Sequence, residues 1–97
     1  MSIKSEVSED GSILTVYIDG KFNFQVHEQL IQAMNVGGIK EFRFDLANTT
    51  YMDSSSLGML IMARNRNRST KASIVNANAT IKRALEIAHL ERHFSIE

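Results

Sequence analysis

The stretch Tyr51-Met52-Asp53-Ser54-Ser55-Ser56-Leu57-Gly58 decides how the rest of this chain is interpreted. It places three hydroxyl side chains after a predicted strand and directly before an apolar run with helical spacing. The N-terminus of a helix holds an anion well, because unpaired N–H groups and the positive end of the helix dipole face it. The segment therefore favours a site of reversible phosphorylation over a catalytic site.

The first residues of the chain predict a β-hairpin. Alternating apolar residues predict strands over 3–7 and 13–18. Asp10-Gly11 between them is typical of a tight primed turn, in which both central residues have positive φ. We expect Gly20 to end the second strand.

The middle of the chain predicts one helix and one strand before the serine run. The helix covers 24–34, with Asn23 as its cap and Gly37-Gly38 as its stop. The strand covers 42–46 and turns its aromatic residues and Leu46 inward. Asn48-Thr49-Thr50 is predicted to form the turn that leads to the serines.

Two more helices and one or two short strands are predicted after the serine run. The second helix has Leu57, Leu60, Ile61 and Arg64 along one stripe, with Met59 and Met62 beside it. A strand over 73–75 and the turn Asn76-Ala77-Asn78 precede the third helix. The buried stripe of this helix is Ile81, Ala84, Leu85 and Ala88. Phe94 and Ile96 fall in a last short strand or tail.

The element order β-β-α-β-α-β-α predicts an α/β fold. Helical crossovers between strands imply parallel neighbours with right-handed connections. The natural solution is a mixed sheet of four to five strands with the helices packed on it. We expect one domain over residues 1–97.

Composition narrows the class of protein. The 97 residues are 43% hydrophobic and 23% charged, with a formal net charge of zero. Residues 1–60 carry four bases against eight acids, and residues 61–97 carry seven against three. No cysteine and no long apolar run occur. We therefore expect a cytoplasmic protein that binds neither nucleic acid nor membrane. The one basic cluster, Arg64-Asn65-Arg66-Asn67-Arg68, is typical of the polar end of a helix; its alternatives are a contact for an acidic partner and, more remotely, for RNA.

The sequence contains little that indicates a catalytic site or a metal site. No Gly-x-Ser-x-Gly motif occurs, and the sequence ties no histidine to Ser54 as a general base. His89 and His93 stand four residues apart and could face a metal from one helix, but solvated histidines at a helix end are the simpler interpretation. We predict no catalytic residue, no metal and no cofactor.

The serine run has more polar side chains than a helix cap needs. One side chain suffices for the cap, either Asp53 or a serine. Phosphorylation there would add a charge of about −1.5 to −2, which the helix N-terminus tolerates but a partner packed over it does not. This is the physical basis of an on/off binding switch.

Phe42-Arg43-Phe44-Asp45-Leu46 followed by the stretch at residues 51–58 resembles the signature of STAS domains, the sulfate-transporter and anti-sigma-factor-antagonist domains. The resemblance covers nearly the whole chain, including the turn Asp19-Gly20-Lys21-Phe22-Asn23. It favours the regulatory, antagonist branch. The family often has glycine where Ser56 stands and aspartate where Asn23 stands.

The resemblance implies that Ser54 is the residue phosphorylated by a partner kinase, with Ser55 and Ser56 as competing hydroxyls. The partner is an anti-sigma factor or serine kinase with a histidine-kinase-like ATP fold, bound by the unphosphorylated form. A PP2C-type phosphatase resets the switch. The predicted partner-binding residues are Asn23, Asp53, Ser54, Ser55, Ser56 and Met59. The alternative is a constitutive STAS interaction subunit of a larger signalling complex, without a phosphoswitch.

Overall fold

Six strands and three α-helices make up the computed structural model, which describes residues 2–97, the side chain of Ser2 excepted. A 3-10 turn at Phe24–Val26 leads into the first helix, and another at Leu90–Arg92 follows the third. The strands and helices are β1 (Ser2–Val7), β2 (Ile13–Phe22), α1 (His27–Ala33), β3 (Glu41–Asp45), β4 (Thr49–Met52), α2 (Ser54–Arg66), β5 (Lys71–Val75), α3 (Ala79–Ile87) and β6 (Ser95–Ile96).

The strands form one mixed sheet in the order β1-β2-β3-β5-β6. β1 and β2 pair antiparallel, and the remaining pairs are parallel. β4 pairs in parallel with the last residues of β2, beyond the part of β2 that β3 covers. The predicted α/β class with helices packed on a mixed sheet is confirmed.

One face of the sheet carries the core. Val16, Phe44, Ile74 and Ile96 are neighbours in register across β2, β3, β5 and β6, and the first three are at most 1% exposed. The buried sides of all three helices join the same cluster. Because side chains alternate along a strand, the opposite face presents residues such as Thr15 and Arg43.

The predicted hairpin forms, but its turn is of another type. Of the two central residues Asp10 and Gly11, only Gly11 has positive φ, at 76°, so the turn is not the primed one that the sequence predicted. The Gly11 N–H donates to the Ser8 carbonyl at 2.9 Å. Asp10 Oδ1 accepts from both the N–H and the hydroxyl of Ser12, at 3.0 and 2.7 Å. Asp10 itself lies outside the left-handed region.

The main departure from the predicted order is β4, which forms where the sequence predicted a turn and brings the strand count to six. Gly20 does not end β2. Gly20 has a positive φ of 84° and lies where the register between β2 and β4 shifts. Beyond it, β2 continues alongside β4 to Phe22. The buried Thr49 hydroxyl donates to the Ile18 carbonyl at 2.6 Å and fastens the start of β4 to β2.

The helices match the prediction in position but not all in orientation. In α3, Ile81 and Leu85 are buried as expected. In α2 the predicted stripe is only partly right: Leu60 is buried, but Leu57 and Ile61 are partly buried at the edge of the core. The buried residues of the helix are Ser56, Met59, Leu60 and Ala63. The helix is therefore rotated by about one residue, 100°, from the predicted orientation.

Candidate functional site

The site lies where β2 and β4 end side by side. Phe22 and Met52 are partners in the parallel ladder, and the next residue of each strand, Asn23 or Asp53, begins a helical segment. Neighbouring strands are about 4.8 Å apart, so Asn23 and Asp53 start their helices next to each other. The carboxyl edge of a parallel sheet is where binding sites are usually built.

Both residues cap the segments that they begin. Asn23 Oδ1 accepts the Gln25 N–H at 3.0 Å, which confirms the predicted cap. Asp53 Oδ1 accepts the Ser56 N–H at 3.1 Å, and the Asp53 N–H donates to Ser56 Oγ at 2.8 Å. This reciprocal capping box fixes the first turn of α2 and therefore the position of Ser54.

The three serines differ in burial and in hydrogen bonding, which the sequence alone could not show. Ser56 is fully buried, and its hydroxyl also donates to the Asp53 carbonyl at 2.7 Å. Ser55 is partly buried and donates to Asp53 Oδ1 at 2.6 Å. Ser54 is exposed, and its hydroxyl has no hydrogen-bond partner among residues 2–97. The first turn of α2 therefore presents one free hydroxyl to solvent.

Ser56 also explains the departure from the glycine that the family often has. Its hydroxyl supplies the second half of the capping box, which a glycine lacks. The extra hydroxyl has an internal structural role in this chain.

The Asp53 carboxylate adds negative charge beside Ser54. Hydrogen bonds from the Ser55 hydroxyl and then from the Ser56 N–H hold the pKa of Asp53 below its usual value. The carboxylate is therefore ionised at neutral pH. A phosphate on Ser54 would meet this charge at close range, so the modified site would be strongly anionic.

The depressed carboxyl pKa values predict a loss of stability in acid. Hydroxyls of Ser12 and Ser8 lower the pKa of Asp10 from 3.8 to about 2, and the pKa of Asp53 is also lowered. A depressed folded-state pKa contributes stability above the unfolded value and loses it as pH falls through the folded value. We expect the free energy of unfolding to decrease between about pH 4 and pH 2. NMR titration of the carboxyl carbons checks this; an Asp10 midpoint near 3.8 would contradict it.

Exposed apolar side chains flank the candidate site. Phe24, directly after Asn23, is 63% exposed, and Tyr51, at the end of β4, is 46% exposed. Residue order alone did not predict that either side chain is exposed beside the site. Met59, which the sequence placed among the partner-binding residues, is only 4% exposed and packs in the core, whereas Met62 on the same helix is 49% exposed.

Gly58 is exposed in the middle of α2, and a Cβ built there meets no heavy atom within 4 Å. Glycine costs a helix about 1 kcal/mol relative to alanine. Because the space beside Gly58 is open, packing within the chain does not require a glycine at this position. We expect Gly58→Ala to raise the free energy of unfolding by about 0.5–1 kcal/mol, measured by urea denaturation. A destabilised variant would contradict the open position of Gly58.

The basic cluster at the C-terminal end of α2 is partly used for contacts within the chain. Arg64 donates to the carbonyl oxygens of His93, Asn67 and Thr70 at 2.9, 3.0 and 2.6 Å. These bonds tie the end of α2 to the segment before β5 and to the C-terminal region. Arg66 and Arg68 remain exposed.

The histidine pair does not share a helix face. α3 ends at Ile87, and His89 is in the left-handed region with φ of 59°. His89 Nδ1 lies 3.3 Å from Glu91 Oε2, and His89 and His93 flank the 3-10 turn Leu90–Arg92 at its two ends. Within the described residues, no cluster of three or more metal-ligating side chains is found. None of the helices in residues 2–97 has the length and apolar character needed to cross a membrane.

Comparisons with known proteins agree with this geometry. A family model for the STAS domain matches residues 4–97. A STAS-domain containing protein of Pseudomonas aeruginosa (strain UCBPP-PA14) is 35% identical in an alignment of 100 positions that covers 99% of each chain.

Solved structures of anti-sigma factor antagonists share the fold. A putative antagonist from Thermotoga maritima has a TM-score of 0.80 at 17% identity, covering 97% of this chain and 84% of its own. Unphosphorylated SpoIIAA has a TM-score of 0.77 at 13% identity, with 99% and 88% coverage. The phosphorylated form of Bacillus SpoIIAA has a TM-score of 0.67 at 14% identity, covering 99% and 91%.

Proposed function

Because this chain belongs to the STAS domain family, we propose that it is a phosphorylation-switched antagonist of an anti-sigma factor. The unphosphorylated form binds an anti-sigma factor or serine kinase with a histidine-kinase-like ATP fold in the cytoplasm. Phosphorylation of Ser54 releases that partner, and a PP2C-type phosphatase restores binding.

One observation carries the proposal: Ser54 is the exposed serine of the run, and its hydroxyl is not engaged within residues 2–97. A kinase can reach this oxygen without unfolding the helix. Reaching Ser56 would require opening the capping box and exposing a buried residue. Ser55 would have to give up its 2.6 Å bond to Asp53.

The position of Ser54 also explains how the phosphate could act on binding while the fold survives. The first residue of a helix tolerates negative charge, since the helix dipole favours an anion by about 0.3–1 kcal/mol. A partner surface packed over Ser54 would have to bury a dianion next to ionised Asp53. Flanking Phe24 and Tyr51 provide exposed aromatic surface for such a partner.

The phosphoacceptor can be identified directly. The purified chain is incubated with ATP and the serine kinase encoded nearest to its gene, and the product is analysed by phosphopeptide mass spectrometry. We expect a single phosphate on Ser54 and no incorporation in Ser54→Ala, while Ser55→Ala is modified like the wild type. Incorporation in Ser54→Ala would contradict the assignment.

The alternative, a constitutive STAS interaction subunit, leads to a different result. Such a protein would bind its partner with equal affinity whether or not Ser54 is modified. The accessible hydroxyl at the helix start favours the switched form.

A further inference from the structure

A groove between α1 and α2 is not explained by the site at Ser54. Its volume is about 220 Å³. None of its lining residues, all in the described part of the chain, is acidic. Its lining includes Leu30, Met34, Met59, Met62 and Arg66. We call this feature the α1–α2 groove.

The exposed ridge of α2 connects Ser54 to the α1–α2 groove. Ser54, Gly58, Met62 and Arg66 follow one another at a spacing of four and are all exposed. Residues four apart lie one above the other on a helix face. Met62 and Arg66 form part of the groove wall, so a partner that covers Ser54 and runs along this ridge reaches the groove.

The size and lining of the groove point to a protein side chain as its occupant. Sites for small molecules usually enclose about 300–1,000 Å³, more than the α1–α2 groove offers. Leu30, Met34 and Met59 provide an apolar floor on which a single large side chain fits, and methionines adapt to its shape. Arg66 is the exposed cation at the wall and attracts a carboxylate.

Gly58 leaves room for a partner to approach the backbone of α2 closely. The chain's own packing does not fill the space beside Gly58. A residue without a side chain permits another helix to lie directly on the ridge between Ser54 and Met62. This observation favours a helix over a loop or a small amphiphile as the occupant.

We propose that the α1–α2 groove receives a large apolar side chain from an amphipathic helix of the partner, with an acidic residue of that helix paired to Arg66. The inference rests on the proposed function and names the surface that the partner uses. The groove supplies affinity at one end of the ridge, and Ser54 controls it from the other. Phosphorylation therefore does not need to alter the groove itself.

The test measures affinity by isothermal titration calorimetry, with the serine kinase encoded nearest to the gene as the probe. We expect Met62→Gln and Arg66→Glu each to weaken binding about tenfold. Gly58→Ala should weaken it to a similar extent without losing stability. Ile87→Gln is the matched control, because Ile87 is 69% exposed on α3, away from the groove, and should bind like the wild type.

The outcomes separate this inference from the proposed function. If the wild type binds and Ser54→Asp does not, but Met62→Gln and Arg66→Glu bind like Ile87→Gln, the groove has no role and the inference alone is overturned. If Ser54→Asp binds like the wild type, or the wild type does not bind, the proposed function fails and this inference fails with it. Dodecanoate that fills the groove without competing with the kinase would also overturn it.

Discussion

Replacing Ser54 by aspartate is expected to weaken binding to the partner kinase by about a hundredfold, which corresponds to about 2.7 kcal/mol. The added carboxylate would be buried under the partner beside Asp53, whose own pKa is depressed and which is therefore ionised. Ser54→Ala removes only an unpartnered hydroxyl and should bind like the wild type. Calorimetric titration of each variant with the kinase gives the affinities.

Loss of folding cannot account for this difference. An acidic residue in the first turn of α2 stabilises the helix by about 0.3–1 kcal/mol, so Ser54→Asp should unfold at the wild-type temperature or above. Ser5→Asp, which adds the same charge at an exposed position of β1, serves as the control and should leave binding unchanged. Equal affinities of Ser54→Asp and the wild type would refute the switch.

The second large effect concerns the attachment of α2 to the sheet. Leu60 is completely buried within the core, so Leu60→Ala should lower the free energy of unfolding by about 2–5 kcal/mol. The loss combines the apolar transfer energy of the removed atoms with the cavity that remains beneath α2. Urea denaturation gives the change directly.

Met62→Ala is the matched substitution on the opposite side of the same helix. Met62 is 49% exposed, so its truncation should change stability by no more than about 0.5 kcal/mol. Comparable losses for the two variants would contradict the orientation of α2 in the structure.

The orientation of α2 illustrates what the sequence could not decide. Leu57, Met59, Leu60, Ile61 and Met62 supply apolar residues on every side of the helix, so hydrophobic spacing allows more than one buried stripe. The capping box turns Ser56 inward and thereby selects Met59 and Leu60 for the core. The buried Ser56 therefore marks the orientation of α2, and hydrophobic periodicity does not identify a buried polar residue.

β4 was missed for a different reason. Thr49–Met52 is short and begins with two threonines, and its partner in β2 is about thirty residues away in the sequence. Pairing with β2 and the Thr49 hydroxyl bond to Ile18 make it a strand, and both are tertiary interactions. The hairpin, the Asn23 cap and the buried positions of α3 depend on local patterns and were predictable.

The candidate site, too, could be predicted only in the part that depends on local sequence. The position of Ser54 at a strand-to-helix junction could be predicted from residue order. The difference between Ser54 and Ser56 depends on burial and on hydrogen bonds to Asp53, which three consecutive serines do not reveal. The exposed Phe24 and Tyr51 depend likewise on how the strands end.

The most direct test of the switch compares two forms of the same protein. The chain is phosphorylated by the kinase, verified to carry phosphate at Ser54, and titrated against that kinase beside an unmodified sample and one treated with a PP2C-type phosphatase. We predict at least about a hundredfold weaker binding for the phosphorylated form and full recovery after the phosphatase. Equal affinity of the phosphorylated and unmodified forms would contradict a phosphoswitch at Ser54.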